Sequence, residues 1–416
     1  MKVIFTPSHL SGTISAPPSK SMAHRMLICG GLSHGNISTI QGISDSDDVT
    51  ATLRCLEALG ASYEKNGTTV TIKGTYIRKT NPKNNLDCYE SGSTLRFFLP
   101  LCLLSGHSAT LIGTKKLFSR PLSVYETICK EQNLFYQQTE NSVSVKGKIS
   151  AGEYKIPGNI SSQFITGLLF ALPLCEKDSI LHIIPPIESR SYLDLTIEAL
   201  SAFGIQIVWN DDKTLFIKGN QTYCSADVSV EGDYSNASFF AALSSFGQDI
   251  TVKGLSEQSH QGDKAYLKFF ELLEKGTPTI HIGDCPDLGP ILMAVAAAKH
   301  GAVFTGTKRL KIKESDRGAV MAEELAKFGV AVTVREDSIV VYPIQFHAPT
   351  EALHGHNDHR VVMALSTLLC LTGGEIEGAE AVKKSLPEYF DLLRSVGANF
   401  TVCNKVGEKN ETESKS

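Results

Sequence analysis

The sequence predicts a mixed α/β protein of two domains, each assembled from three β-α-β-α-β-β units. Three observations carry this. Ala/Leu-rich stretches that open on small or polar residues end at Gly35, Gly106, Lys177, Gly247, Gly301 and Gly373, about seventy residues apart except for the shorter gap from Gly247 to Gly301. A second, more amphipathic helical pattern follows each first one at a nearly constant lag. Runs of alternating apolar and polar residues, such as 68–72 and 330–334, fill the remainder with strands.

In chain order, the first kind of helix is expected within 19–35, 92–106, 161–177, 234–247, 287–301 and 358–373, and the second kind within 49–60, 121–133, 192–204, 265–276, 317–329 and 387–397. One such unit cannot bury both faces of its strands, so six units group into two triplets. Residues 19–225 form one domain; 1–18 and 226–416 form the other, a discontinuous one. The chain then crosses between them twice, near 14–19 at the Pro17-Pro18 pair and within 219–230, beside the polar stretch 218–222. Two crossings make a hinge. Residues 407–416 are polar and read as a frayed tail.

Composition narrows the function. A formal net charge of −4 supplies no electrostatic footprint for nucleic acid. No apolar run approaches the ~20 residues of a membrane span; the best, 97–104, contains Pro100 and is about half that length, so no membrane partner is expected. The N-terminus lacks a secretory pattern, which makes the cytoplasm the expected location. The ten cysteines are scattered, with no Cys-x-x-Cys pair, and read as buried thiols.

The starts of the first-type helices combine small polar residues with charge: Ser19-Lys20-Ser21 with Arg25, Ser91-Gly92-Ser93 with Arg96, Ser161-Ser162-Gln163, and Asp358-His359-Arg360. Helix N-termini present unpaired N–H groups and a positive dipole end, so several aimed at one cleft make an anion trap. Taken singly, each such Ser or Asp is an ordinary cap. Arg25, Arg96 and Arg360 oppose the helix dipole and are expected to need a bound anion. Lys311 to Arg317 sets Lys313 and Glu314 side by side, a cation for an anionic ligand and a carboxylate for proton transfer; as local structure, Ser315 is the expected cap with Asp316 in the first turn. Asp287 is either an N-cap or a base facing substrate, and Arg120 either a turn residue or an anion clamp. The histidines show no metal-ligand spacing, and there is neither a Walker loop nor a dinucleotide Gly fingerprint. No metal and no cofactor are predicted.

These residues resemble the 5-enolpyruvylshikimate-3-phosphate synthases, the enolpyruvyl transferases of the shikimate pathway. The resemblance runs over nearly the whole chain: Pro18 to Ser21 with Arg25, Ser119-Arg120-Pro121, Ser161 to Phe164, Glu188-Ser189 with Tyr192, Glu231 to Asp233, Pro286-Asp287, Lys313 to Arg317, Asn357 to Arg360, and Lys384 before Pro387 to Phe390. It implies an inside-out α/β barrel in each domain, with pseudo-threefold symmetry and an interdomain cleft that closes over substrates. It implies transfer of the enolpyruvyl group of phosphoenolpyruvate to the 5-hydroxyl of shikimate 3-phosphate, by addition and elimination of phosphate. Carried over by position, Lys20, Ser21, Arg25, Ser161, Ser162, Gln163, Ser189, Tyr192, Asp287 and Lys313 hold shikimate 3-phosphate; Lys20, Gly92, Arg120, Gln163, Arg317, Arg360 and Lys384 hold phosphoenolpyruvate. Asp287 takes the hydroxyl proton, Glu314 handles the proton at C3, and Lys20 is a further candidate acid. A monomer is the expected state.

Two positions depart from the best-known members. Glu90-Ser91-Gly92-Ser93 stands where they have Asn-Ala-Gly-Thr, which puts a carboxylate beside an anion site unless it turns away or meets a cation; Arg309 stands where they have Asn. Two alternatives compete with the reading. A UDP-N-acetylglucosamine enolpyruvyl transferase carries a reactive Cys before its Arg-Pro pair, and 114–119 has none. A non-catalytic anion-binding repeat protein has no use for Asp287 and Glu314 in an anion site.

Overall fold

The computed structural model describes residues 1–82, 85–343 and 346–403. The tail expected at 407–416 lies outside the described residues. The first-type helices are Lys20–Gly31, Gly92–Cys102, Ser162–Ala171, Tyr234–Ser245, Gly289–Ala298 and His359–Thr372. Every residue from Phe164 to Ala171 and from His359 to Cys370 is buried, and a helix apolar on all sides belongs inside a core. The second-type helices are Asp47–Ala58, Ser123–Glu131, Arg190–Ala202, Tyr266–Lys275, Arg317–Ala326 and Tyr389–Ser395. They bury one stripe each, as Tyr266, Phe270 and Leu273 do at helical spacing.

The strands lie outside the helices. Along Glu153–Pro157, Tyr154 and Ile156 are buried while Glu153 and Lys155 are exposed, the alternation of a sheet with one wet face. That strand pairs in parallel with Ser179–Ile184, which pairs antiparallel with Thr214–Ile217, which pairs antiparallel with Ile207–Asp211. The parallel pair is bridged by a first-type helix, the antiparallel pair by a tight turn. Five four-stranded sheets are found among the described residues; the sixth sheet has only Ser11–Ser15 and Asp249–Lys253. Here the expected six-fold pattern needs correction. The short fourth unit is β-α-β-α, because the chain passes from helix Tyr266–Lys275 straight to Thr279–His281, the first strand of the next unit.

Chain exchange joins the two halves. Lys2–Thr6 lies between Gly374–Glu377 and Asn399–Cys403, completing the last sheet. Asp227–Ser229 pairs in parallel with Ile37–Gln41, and Val230 packs into the core of the 19–225 segment. The chain therefore stays with the first core as far as Val230, the last residue of the range expected for the second crossing. The two crossings run antiparallel, with Asp233 N–H donating to Pro17 O at 2.7 Å and Ser19 N–H to Glu231 O at 2.8 Å. Two separate hydrophobic cores result, one from Met22 to Val230, the other from Val3 to Ile14 together with Tyr234 to Phe400.

Candidate functional site

The helix starts converge on a cleft between the two cores. Ser19, Ser91, Ser161, Asp233 and Asp358 do cap their helices, accepting from Met22, Thr94, Gln163, Asn236 and Arg360 N–H groups. Capping and cleft-building coexist, because Lys20, Gly92, Ser162 and His359, each just beyond its cap, line the opening.

The wall made by residues 19–229 presents Lys20, Ser21, Arg25, Gly92, Arg120, Ser161, Ser162, Gln163, Ser189 and Tyr192. Arg25 is fixed by Thr196 Oγ1, Ser21 O and Tyr192 O at 2.9, 2.6 and 3.0 Å; burial lowers its pKa to about 10, which leaves it charged at neutral pH. Arg96 donates to Gln163 Oε1 at 2.8 Å and to Pro121 O at 3.0 Å, and Gln163 Nε2 donates to Ser93 Oγ at 2.9 Å. Gln163 is thus oriented on both sides. Arg120 is different: Arg96 also has an unpartnered Nε, but the Arg120 guanidinium makes neither a hydrogen bond nor an ion pair among the described residues. Its guanidinium lies over the start of helix Gly92–Cys102, where a Cβ on Gly92 would stand 2.3 Å from Arg120 Nη1. Glycine is needed at 92 for that approach. Lys20 Nζ meets Asp48 Oδ2 at 2.7 Å.

The opposite wall presents Asp287, Lys313, Glu314, Arg317 and Arg360. Asp287 sits in a short turn, Pro286–Leu288, ahead of helix Gly289–Ala298. Its side chain makes no cap; it meets Arg317 Nη1 at 2.7 Å, Lys313 Nζ at 3.2 Å, Arg360 Nη2 at 3.1 Å and the Tyr192 hydroxyl at 3.2 Å. Burial alone would raise its pKa; Arg360, Lys313 and Arg317 outweigh burial and hold it well below the carboxylate range. Glu314 shows the same balance, with burial opposed by His359 at 3.0 Å and by Arg317 and Lys384 at 3.9 Å. Burial lowers the Lys313 pKa to about 8 against the pull of Asp287. Arg317 is gripped by Asp358, 2.8 Å from Nε and 3.2 Å from Nη2.

Three expectations change. The cap of helix Arg317–Ala326 is Asp316, while Ser315 donates to Asp358 at 3.0 Å. Arg25, Arg96 and Arg360 have partners inside the protein, since carbonyl oxygens, Gln163 and Asp287 accept from them, while the Nε of Arg96 is left without one. Lys384, alone of the predicted residues, stands behind the lining; it pairs with Glu90 and donates to Asn357 O at 2.7 Å. Glu90 thereby meets its cation, and its Oε2 also accepts from Asn357 Nδ2 at 3.1 Å across the cleft. Arg309 Nη1 bridges to Ser189 Oγ at 2.6 Å, and Ser189 holds a left-handed backbone at φ 59° with its N–H on Asp284 at 3.0 Å.

Asp48 and His359, together with the apolar Phe97, Ile160 and Ile312, also line the cleft without having been predicted as site residues. His359 stood inside a quoted motif, and its partner Glu314 is 45 residues away; Asp48 left no local signal because it reads as a first-turn acid of helix Asp47–Ala58. Glu314, Asp358 and His359 bring ligand atoms close together, but Arg317 holds Asp358 and, with Lys384, faces Glu314, so a metal ion there would meet two cations already in place.

The EPSP synthase (3-phosphoshikimate 1-carboxyvinyltransferase) family profile matches residues 4–393. The chain belongs to the EPSP synthase family. It is 39% identical to the 3-phosphoshikimate 1-carboxyvinyltransferase of Clostridium kluyveri, with 96% of this chain and 98% of that one covered, and 38% identical to that of Clostridioides difficile, with the same coverage. The fold is similar to that of an EPSP synthase from Acinetobacter baumannii (TM-score 0.79, 22% identity, 97% of this chain and 100% of that chain). It is also similar to that of the enolpyruvyl transferase NikO from Streptomyces tendae (TM-score 0.75, 13% identity, 96% and 98%). The two-domain inside-out α/β architecture of the EPSP synthases is the one described above.

Proposed function

We propose that the protein transfers the enolpyruvyl group of phosphoenolpyruvate to the 5-hydroxyl of shikimate 3-phosphate and releases phosphate. Besides family membership, one observation carries the chemistry: Asp287 is an ionised carboxylate held among three cations where the two walls meet. An anion-binding module loses affinity by placing a carboxylate there; a transferase uses it to take a proton. At rest the three cations make Asp287 a weak base. Two polyanionic substrates neutralise the same cations, and its basicity rises as they bind.

In the addition step the substrate hydroxyl loses its proton to Asp287, O5 bonds to C2 of phosphoenolpyruvate, and C3 gains a proton. In the elimination step the C2–O bond to phosphate breaks, C3 gives its proton back, and the vinyl ether remains. Glu314, beside His359, is assigned the C3 proton, with Lys20 as a further acid. Lys20, Ser21, Arg25, Ser161, Ser162, Gln163, Ser189, Tyr192, Asp287 and Lys313 are assigned to shikimate 3-phosphate; Lys20, Gly92, Arg120, Gln163, Arg317, Arg360 and Lys384 are assigned to phosphoenolpyruvate. Arg120 supports that division, being a buried guanidinium that makes neither a hydrogen bond nor an ion pair among the described residues.

Both walls come from one chain, which supports a monomer, and eight of the ten cysteines are buried and free, which supports a reducing cytoplasm. No described helix is long and apolar enough to cross a membrane. The deciding experiment is phosphate release from phosphoenolpyruvate with shikimate 3-phosphate, with UDP-N-acetylglucosamine, and with neither. Release with shikimate 3-phosphate alone is expected. Release with the UDP-sugar would move the reading to that transferase, against which stands the absence of any cysteine from the cleft lining.

A further inference from the structure

Helix Arg317–Ala326 carries Arg317 into the cleft at its start and, two turns later, a carboxylate with no solvent exposure, Glu324. A carboxylate so buried is tolerated only where charge and hydrogen bonds meet it. Both oxygens of Glu324 are met. Oε1 accepts from Lys327 Nζ at 3.1 Å and pairs with His356 Nε2 at 2.8 Å; Oε2 accepts from Lys327 Nζ and from the His354 N–H, each at 3.0 Å. Lys327 Nζ also donates to Ala352 O at 3.1 Å. The cluster straps the helix to the segment 352–356. Glu323, Glu324 and His356 bring ligand atoms within reach of a common metal ion, but the Lys327 ammonium already neutralises Glu324, which makes this a strap rather than a metal site.

What the strap holds is a backbone under constraint. His356 and Asn357 have φ of 48° and 54°, two consecutive left-handed residues that are not glycine, a conformation that persists only where surrounding contacts enforce it. Beyond the turn, Asn357 O accepts from Lys384 Nζ at 2.7 Å, Asn357 Nδ2 donates to Glu90, and Asp358 grips Arg317. The left-handed turn therefore stands between the strap and the Lys384 ammonium.

We propose that Glu324 and His356 form a positioning pair for the phosphoenolpyruvate side of the cleft. Neither is among the residues that line the cleft. Their bond holds the His356–Asn357 turn and, through the Asn357 carbonyl, fixes where Lys384 points. The inference rests on the enolpyruvyl-transfer reading and on the part assigned to Lys384 within it.

The test is steady-state phosphate release by the full chain, varying each substrate in turn, for His356→Ala and His356→Gln, with melting temperatures to show that both fold. His356→Ala is expected to raise the KM for phosphoenolpyruvate roughly three- to tenfold while kcat and the KM for shikimate 3-phosphate move less than about twofold. His356→Gln, whose amide N–H can still reach Glu324, is expected to restore most of the loss. Added to Lys384→Met, His356→Ala is expected to change the phosphoenolpyruvate KM no further, because the group it acts through is gone. An unmoved phosphoenolpyruvate KM, an equal rise in both KM values, or a full additional loss on top of Lys384→Met overturns the inference. Turnover with any of these results removes the inference alone, whereas no turnover by the unsubstituted chain removes the enolpyruvyl-transfer reading and the inference with it.

Discussion

The two walls of the cleft handle charge in opposite ways. Apart from the Lys20–Asp48 pair, the wall of residues 19–229 meets the opening with hydroxyls and with guanidinium groups that rest on neutral oxygens, as Arg25 does on Tyr192 O and Arg96 on Pro121 O, or that have no partner, as Arg120 does. The facing wall is saturated: Asp287 has three cations, Asp358 grips Arg317, and Glu314 faces His359. A guanidinium on carbonyl oxygens keeps its charge available to a ligand, whereas a carboxylate among cations stays ionised until something competes for them. In the proposed reaction the first wall receives the anions and the second answers their arrival by moving protons.

The sharpest way to break this comparison is Asp287→Asn, which keeps shape and removes the proton acceptor. The rate of phosphate release should fall by roughly two to four orders of magnitude, while shikimate 3-phosphate still raises the melting temperature. A loss below tenfold would end the role proposed for the carboxylate wall. Next in size, Arg120→Met should cut kcat/KM for phosphoenolpyruvate by roughly tenfold to a hundredfold, the worth of a charged hydrogen-bonded contact. Gly92→Ala should reproduce part of that loss with little change in melting temperature, because its Cβ collides with the movable end of Arg120 rather than with backbone.

Lys313 tests where the walls meet. The unfolded chain, with Lys313 near 10.5, binds more protons than the folded chain, with Lys313 near 8, so this group makes stability rise with pH across that window. Ligand binding runs the other way. Above about pH 8 the ammonium is lost, kcat/KM for shikimate 3-phosphate should decline, and Lys313→Met should lower that constant about tenfold at pH 7 and flatten its alkaline limb. An alkaline limb that survives the substitution would assign it to another group. The smallest effect is expected at the rim. Glu90→Gln frees Lys384 from its carboxylate and should lower the KM for phosphoenolpyruvate by about two- to fivefold; a rise would mean that Glu90 serves mainly to hold the walls together.

Much of this was legible in the chain. The markers from Gly35 to Gly373 record the period because each helix must stop locally, and Gly35, Gly106, Gly247, Gly301 and Gly373 all adopt the positive φ that such ends require. The unequal interval from Gly247 to Gly301 was visible, but its meaning, a missing strand pair, was not, since a length does not say which element is absent. The extra strand at Asp227–Ser229 escaped because three residues carry too little alternation to read.

The sequence by itself determined the repeat, the two-by-three grouping and the residue types that a cleft for two polyanions needs, because helix stops, caps and amphipathic period are properties of neighbouring residues. Tertiary structure alone decided which charge answers which. Asp287 finds Arg317 thirty residues away and Arg360 seventy-three away, and Glu90 finds Asn357 across the cleft at a separation of 267. No local pattern encodes such pairs: an ion pair's energy depends on distance and burial in space, and both are set only when the two cores have packed and the chain has crossed between them twice.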